Sequence, residues 1–304
     1  MIAFVFPGQG SQYAGMGKDL AENFGQAKLV FEEANDVLGI DLSKLCFEGP
    51  EDELKLTANT QPAIVATSIA ALRVLQSETG LVPDFVAGHS LGEYAALVCA
   101  GGLSFADAVQ TVRKRGTFMQ DAVPVGVGTM AAIIGLDAPV VDEVCAEVAS
   151  GDVVAPANYN SPGQIVIAGH IAAVERAMAL AKERGAKRAL PLPVSAPFHC
   201  SLMEPAARQL DEVLAGVSVE TLACPVVSNV EASANSDAKA VRELLVKQVY
   251  SPVRWEESVS AMSDEGVDRF VEIGPGKVLS GLIKRIVKGV SLQNMGKVED
   301  LKGF

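Results

Sequence analysis

The sequence predicts an α/β protein: a mainly parallel sheet covered by helices, interrupted by a small β-α-β-β-α-β module. Three observations carry this. Short apolar runs alternate with stretches of helical periodicity along most of the chain. A serine between glycines, Gly88-His89-Ser90-Leu91-Gly92, joins one such run to a helical one. Near Pro124 the pattern changes character, and it changes back after residue 194.

Taken in order, residues 2–6 (IAFVF) read as a buried strand ended by Pro7 and Gly8. Helical patterns cover 15–38 and 61–78, and a short strand, DFVAG, leads to the serine turn. Residues 91–100 and 104–120 read as two helices, the second with Ser104 and Asp107 as a capping pair. Beyond Pro124, MAAIIGL, VVAPANYN, GQIVIAG and KRALPLPV read as strands, with helices at APVVDEVCAEVAS and AAVERAMALAKERGA. That order is the ferredoxin-like pattern. It predicts a small subdomain over 125–194 inserted into a large one formed by 1–124 and 195–304. In the last part a helix is expected at 201–216, a strand at PVVSNV, a helix at 238–249 and a strand at RFVEIG.

Composition excludes several classes. With 49% hydrophobic residues the chain can build a large core, so disorder is not expected. A net charge of −12 argues against nucleic acid as a partner. Five scattered cysteines, an odd number without metal-ligand spacing, indicate a reduced, cytoplasmic protein with no metal. No apolar run is long enough for a membrane span, and the start lacks the basic region of a signal peptide.

The serine turn fits G-x-S-x-G. Two readings stand: a nucleophile held at the top of the sheet, or a tight turn that happens to contain serine. A sharp strand-to-helix turn strains its central residue and leaves no room for bulky neighbours, hence the glycines. The following helix start favours negative charge, and the Leu91 N–H could serve an oxyanion. A nucleophilic serine needs a base, and the chain has three histidines. His89 adjoins Ser90 and should point away from it, as a packing or hydrogen-bonding residue. His170 begins a helix and reads as a solvent-facing cap residue. By elimination His199, in a proline-punctuated loop, is the candidate base.

Ala108, Val112, Arg115 and Met119 form one helical stripe, so Arg115 borders the buried face. A guanidinium cannot shed its proton there and needs an anion, either a protein carboxylate or a substrate carboxylate. Arg113 and Lys114 fall on the solvated face. The first turn, FPGQGSQYAGMG, lacks a Walker lysine and misses G-x-G-x-x-G, so it does not read as a nucleotide cradle. It could offer backbone N–H groups to an oxyanion, with Gln9 central.

The blocks FVFPGQGSQ, GHSLGEYAAL, the arginine of RKRGTFMQ, ANYNSPGQIVIAG, APFHCSLM, QVYSPVRW and EIGPGKVL, in this order, resemble the malonyl-CoA:acyl carrier protein transacylase family over essentially the whole chain. Acyltransferase domains of polyketide and animal-type fatty acid synthases carry similar blocks; with no flanking synthase modules in this sequence, a free-standing enzyme is the expectation. The resemblance implies an α/β-hydrolase-like large subdomain with an inserted ferredoxin-like one. It implies Ser90 as nucleophile, His199 as base, and Arg115 as the clamp for the free malonyl carboxylate. Gln9 and Leu91 would supply backbone oxyanion donors, and Gln248 would support the histidine, held by a backbone carbonyl. Phe198, before the histidine, matches the malonyl-selective pattern, in which a bulky ring crowds an α-methyl group.

The expected partners are therefore malonyl-CoA, as a substrate, and acyl carrier protein, with no cofactor, no membrane and a monomer as default. Carrier proteins are acidic, so docking should use a local basic patch, either Arg113 with Lys114 or Lys284, Arg285 and Lys288. A serine esterase or thioesterase is the main rival, and a non-catalytic carrier-protein or CoA-binding module the second.

Overall fold

The computed structural model describes residues 1–194 and 196–304. Strand β1 (Ile2–Phe6) is followed by helices α1 (Lys18–Asn23), α2 (Gly25–Leu38), α3 (Leu42–Glu48), α4 (Glu51–Leu54) and the long α5 (Thr57–Thr79). Strand β2 (Phe85–Gly88) leads to α6 (Gly92–Cys99) and α7 (Phe105–Asp121). Then come β3 (Gly128–Ile134), α8 (Ala138–Val148), β4 (Val154–Ser161), β5 (Gln164–His170), α9 (Ile171–Glu183) and β6 (Arg188–Pro191). The chain continues through α10 (Glu204–Leu214), β7 (Val226–Val227), β8 (Ala234–Asn235), α11 (Ala238–Tyr250), α12 (Trp255–Asp264), β9 (Arg269–Ile273), α13 (Val278–Ile286) and β10 (Ser291–Met295).

Six strands form one sheet in the order β10-β9-β1-β2-β7-β8, parallel throughout except for the β7–β8 pair. Four form a separate antiparallel sheet in the order β4-β5-β3-β6. The α/β class and the mainly parallel sheet are as expected. The single helical run expected over 15–38 is two helices, broken where Phe24 is extended, and α3, α4, α12, α13, β8 and β10 were not anticipated.

Layering follows from side-chain alternation. In β1, Phe4 and Phe6 join the core under α5, while Ala3 and Val5 face Trp255 and Phe270 on the other side. A strand covered on both faces has to be apolar at every position, which is why it reads as an unbroken run. In the antiparallel sheet Ala131, Ile133, Ile165 and Ile167 pack on α8 and α9. The alternate residues Met130, Val166 and Ala168 belong to the main core instead, so this sheet is sealed onto the body of the protein.

Arg113 departs from the sequence expectation. Pro62, inside α5, has no N–H for the carbonyl of Ala58 four residues earlier. Arg113 supplies the missing donor: its Nη1 bonds the Ala58 carbonyl at 2.8 Å and also reaches Asn59. It is half-buried and structural rather than a solvated charge. Helix α7 comes this close because residue 116 is glycine; a Cβ there would lie 2.7 Å from the Thr57 carbonyl oxygen. Lys114 is exposed, as expected.

Because β1 and β2 are parallel neighbours, with Phe6 opposite Gly88, the turns that leave their C-terminal ends emerge side by side. The Gln9 turn thus lies against the Ser90 turn, at the sheet edge where open α/β folds bind ligands.

Candidate active site

The turn after β2 is tight. A Cβ on Gly88 would lie 1.9 Å from the Gly92 carbonyl carbon, and one on Gly92 would lie 2.2 Å from the Phe6 carbonyl oxygen. Ser90 sits at φ 52°, a left-handed conformation costly for a residue with a side chain. Three bonds hold it there. The Asn229 side chain accepts the Ser90 N–H at 2.7 Å and donates to the Gly88 carbonyl at 2.7 Å. Gln248 Nε2 donates to the Ser90 carbonyl at 3.0 Å.

His199 is buried and, at φ 60°, also left-handed. Its Nδ1–H donates to the Gln248 backbone carbonyl at 2.8 Å. A carbonyl can only accept, so this bond fixes the tautomer and leaves Nε2 bare. That nitrogen lies 2.8 Å from Ser90 Oγ, in position to accept its proton. Burial, and next the positive charge of Arg115, push the imidazole pKa down to about 3.

Arg115 is 1% exposed and makes no ion pair with a protein carboxylate among the described residues. Its Nη1 donates to Gln61 Oε1 at 2.7 Å, and its Nη2 to Gln248 Oε1 at 2.9 Å and to Ser90 Oγ at 3.1 Å. Nε is buried without a partner. Of the two anions open on sequence grounds, the direct protein salt bridge is absent, and the guanidinium points at the serine.

The cleft over Ser90 lies between the two sheets: Gln9, Leu91 and Arg115 line it from one side, Met130, Asn158 and Leu192 from the other. Phe198 also lines it. Neither the Gln9 N–H nor the Leu91 N–H has a backbone acceptor among the described residues. Every predicted site residue, Gln9, Ser90, Leu91, Arg115, Phe198, His199 and Gln248, is therefore brought to one place. His89 also lines the cleft, but its ring is bonded elsewhere, donating Nε2–H to Asn160 Oδ1 at 2.8 Å. His170 is half-buried rather than solvent-facing, its Nδ1 accepting the Val153 N–H at 2.9 Å.

Sequence reasoning missed Asn229, Gln61 and Glu93. Asn229 lies in a segment read only as strand, 139 residues from its partner Ser90, and carries no local signal. Glu93 was visible inside the GHSLGEY block but had no assigned task. No group of three or more metal-ligating side chains occurs among the described residues, and no helix there is long and apolar enough to cross a membrane.

The description "acyl transferase domain" belongs to a family model that matches residues 3–301, so the chain belongs to the acyl transferase family. Its relatives narrow this class to one kind of protein. The malonyl CoA-acyl carrier protein transacylase of Bacillus subtilis is 56% identical over 286 residues, 94% of this chain and 90% of that one. The transacylase of the same name from Haemophilus influenzae is 53% identical, covering 100% of this chain and 98% of its own. Among solved structures, an acyl carrier protein S-malonyltransferase from Vibrio cholerae superimposes with a TM-score of 0.97 at 51% identity, over 99% of both chains. A complex of a holo type II PKS acyl-carrier protein with its malonyl-transacylase matches with a TM-score of 0.96 at 52% identity, over 99% of this chain and 97% of that one.

Proposed function

We propose that this protein transfers the malonyl group of malonyl-CoA to the phosphopantetheine thiol of acyl carrier protein through a malonyl ester on Ser90, supplying fatty acid synthesis. The observation that carries the reading is the 2.8 Å contact of Ser90 Oγ with a tautomer-fixed His199 Nε2, beside an arginine whose Nη2 lies 3.1 Å from the same oxygen. His199 takes the Ser90 proton as Oγ attacks the thioester carbonyl. The oxyanion is stabilised by the N–H groups of Gln9 and Leu91, each worth about 3–4 kcal/mol in such a site. The C–S bond breaks, and the CoA sulfur leaves with the proton held by His199. The carrier thiol then gives its proton to His199 and attacks the ester, and Ser90 leaves and recovers that proton. The kinetics are ping-pong.

Arg115 binds the free carboxylate of the malonyl group. Phe198, which lines the cleft, is read as the ring that crowds an α-methyl substituent. We assign the cleft to the junction of a large subdomain, 1–124 and 195–304, and a small one, 125–194. For the acidic carrier protein, the exposed Lys284, Arg285 and Lys288 at the end of α13 support docking better than Arg113, which is committed to Ala58. The reading also takes the enzyme as a cytoplasmic monomer without a cofactor; its five cysteines are unpaired.

Intact mass after mixing with malonyl-CoA tests the proposal. A single malonyl adduct that persists until a carrier thiol is added is expected. Rapid release of free malonate with no lasting adduct would instead identify a hydrolase.

The depressed His199 pKa predicts a second result. At pH 5 an ordinary imidazole would be only about 3% neutral. Held near 3, this one stays a base, so the Ser90 acylation rate should change less than about threefold between pH 8 and pH 5. A fall of about 30-fold centred near pH 6.5 in stopped-flow acylation would contradict it. In folding, the contribution of this group is complete above about pH 6.5 and is lost as pH falls toward 3, because the unfolded chain takes up the proton first.

A further inference from the structure

The mechanism above leaves the buried carboxyl group of Glu93 unused. Glu93, in the first turn of α6, is 3% exposed. Its Oε2 accepts the Asn229 N–H at 3.0 Å and a Gln248 Nε2–H at 2.8 Å. It forms no direct bond to Arg115; Gln248 stands between them. Gln248, fully buried, also gives Nε2–H to the Ser90 carbonyl at 3.0 Å, and its Oε1 accepts from Arg115 Nη2 at 2.9 Å.

The chemistry of these neighbours dictates which way the Gln248 amide faces. A guanidinium can only donate, and a backbone carbonyl can only accept. With Glu93 Oε2 and the Ser90 carbonyl together on one side, both Nε2 protons are required there, and the amide oxygen is left for Arg115. Turned over, the amide would set N–H against N–H at the guanidinium and leave two buried acceptors short of donors, a costly arrangement.

We propose that Glu93 is a positioning residue: by accepting from Gln248 Nε2 it sets that amide so that its oxygen holds the guanidinium of Arg115 at Ser90. This rests on the reading of Arg115 as the clamp for the malonyl carboxylate. Burial raises the Glu93 carboxyl to about 7, opposed by the Asn229 and Gln248 bonds and by the Arg115 charge. The accepting role of Oε2 is the same whether or not Oε1 carries a proton.

The test compares kcat/KM for malonyl-CoA and acetyl-CoA in the wild type, Glu93→Met, Glu93→Gln and the same changes in a Gln248→Met background. Glu93→Met, of similar shape but without an acceptor, is expected to lower the malonyl-over-acetyl preference at least about tenfold, mainly through a higher KM for malonyl-CoA. Glu93→Gln keeps one oxygen able to accept both bonds and should hold the preference within about threefold of wild type. In the Gln248→Met background, Glu93→Met should add less than about twofold. An unchanged preference in Glu93→Met overturns the proposal, as does an equal loss on both substrates, or a full effect that persists without Gln248. Should Glu93→Met fail to fold, side-chain amide NMR of the wild type decides: Gln248 Nε2 protons close to the Ser90 backbone are expected, and protons close to the Arg115 guanidinium overturn it. A wild type with no malonyl preference at all would sink the clamp reading instead.

Discussion

Ser90→Ala is expected to lose malonyl transfer by about 10⁴- to 10⁶-fold and to carry no acyl adduct. In the proposed mechanism the hydroxyl is both the attacking atom and the anchor of the intermediate. Without it the proposed oxyanion donors at Gln9 and Leu91 would still polarise a bound thioester, but nothing would hold the acyl group after CoA leaves. The fold should persist. Alanine meets the same backbone strain at φ 52° as serine, and the bonds that hold the turn, from Asn229 and Gln248, go to the main chain of Ser90 and Gly88. Only the contacts of Oγ with His199 and Arg115 are lost. Transfer kinetics, intact mass and a thermal melt check this together. Residual transfer within about 100-fold of wild type, with normal folding, would remove Ser90 from the reaction.

Arg115→Ala is expected to reverse the choice of substrate. A charge-assisted bond to a carboxylate is worth about 1.5–3 kcal/mol, and the guanidinium can make two. Malonyl kcat/KM should therefore fall by about 100-fold or more, while acetyl transfer, which needs no clamp, is kept or rises. Some stability is lost as well, because the oxygens of Gln61 and Gln248 lose their donor in a buried site. Lysine would not substitute, since one ammonium cannot span the acceptors that the planar fork reaches. The ratio of malonyl to acetyl kcat/KM is the deciding measurement. If it is unchanged, Arg115 serves only to brace Gln61 and Gln248.

The parts of the site legible in the sequence are those set by near neighbours along the chain. Glycines at 88 and 92 around a serine signal a strand-to-helix turn, because that geometry excludes a Cβ. Helical periodicity placed Arg115 on a buried stripe, and it is buried. Ser104 caps α7 as its spacing with Asp107 suggested, with the Asp107 N–H bonded to Ser104 Oγ at 3.0 Å. His199 was reached by elimination and by family resemblance, since nothing beside it in the chain says that it faces Ser90. Arg113 and His170 were misread for a related reason: the partner of the first is a carbonyl set free by a proline on another helix, and that of the second is the Val153 N–H, 17 residues away. The two-residue β7 and the late α13 and β10 were short or weakly patterned, and their existence depends on neighbours in the sheet.

By itself, then, the amino-acid order determined the α/β class, the serine elbow and the burial of an arginine, because periodicity, turn sterics and helix registry act over a few residues. Only the tertiary structure decided that His199 lies 2.8 Å from Ser90, and that Asn229, Gln248 and Glu93 lock the elbow and the guanidinium together. Those contacts join positions up to 158 residues apart, and such hydrogen bonds exist only after two sheets and their helices have packed. Local chemistry chose the groups; long-range packing chose which of them meet.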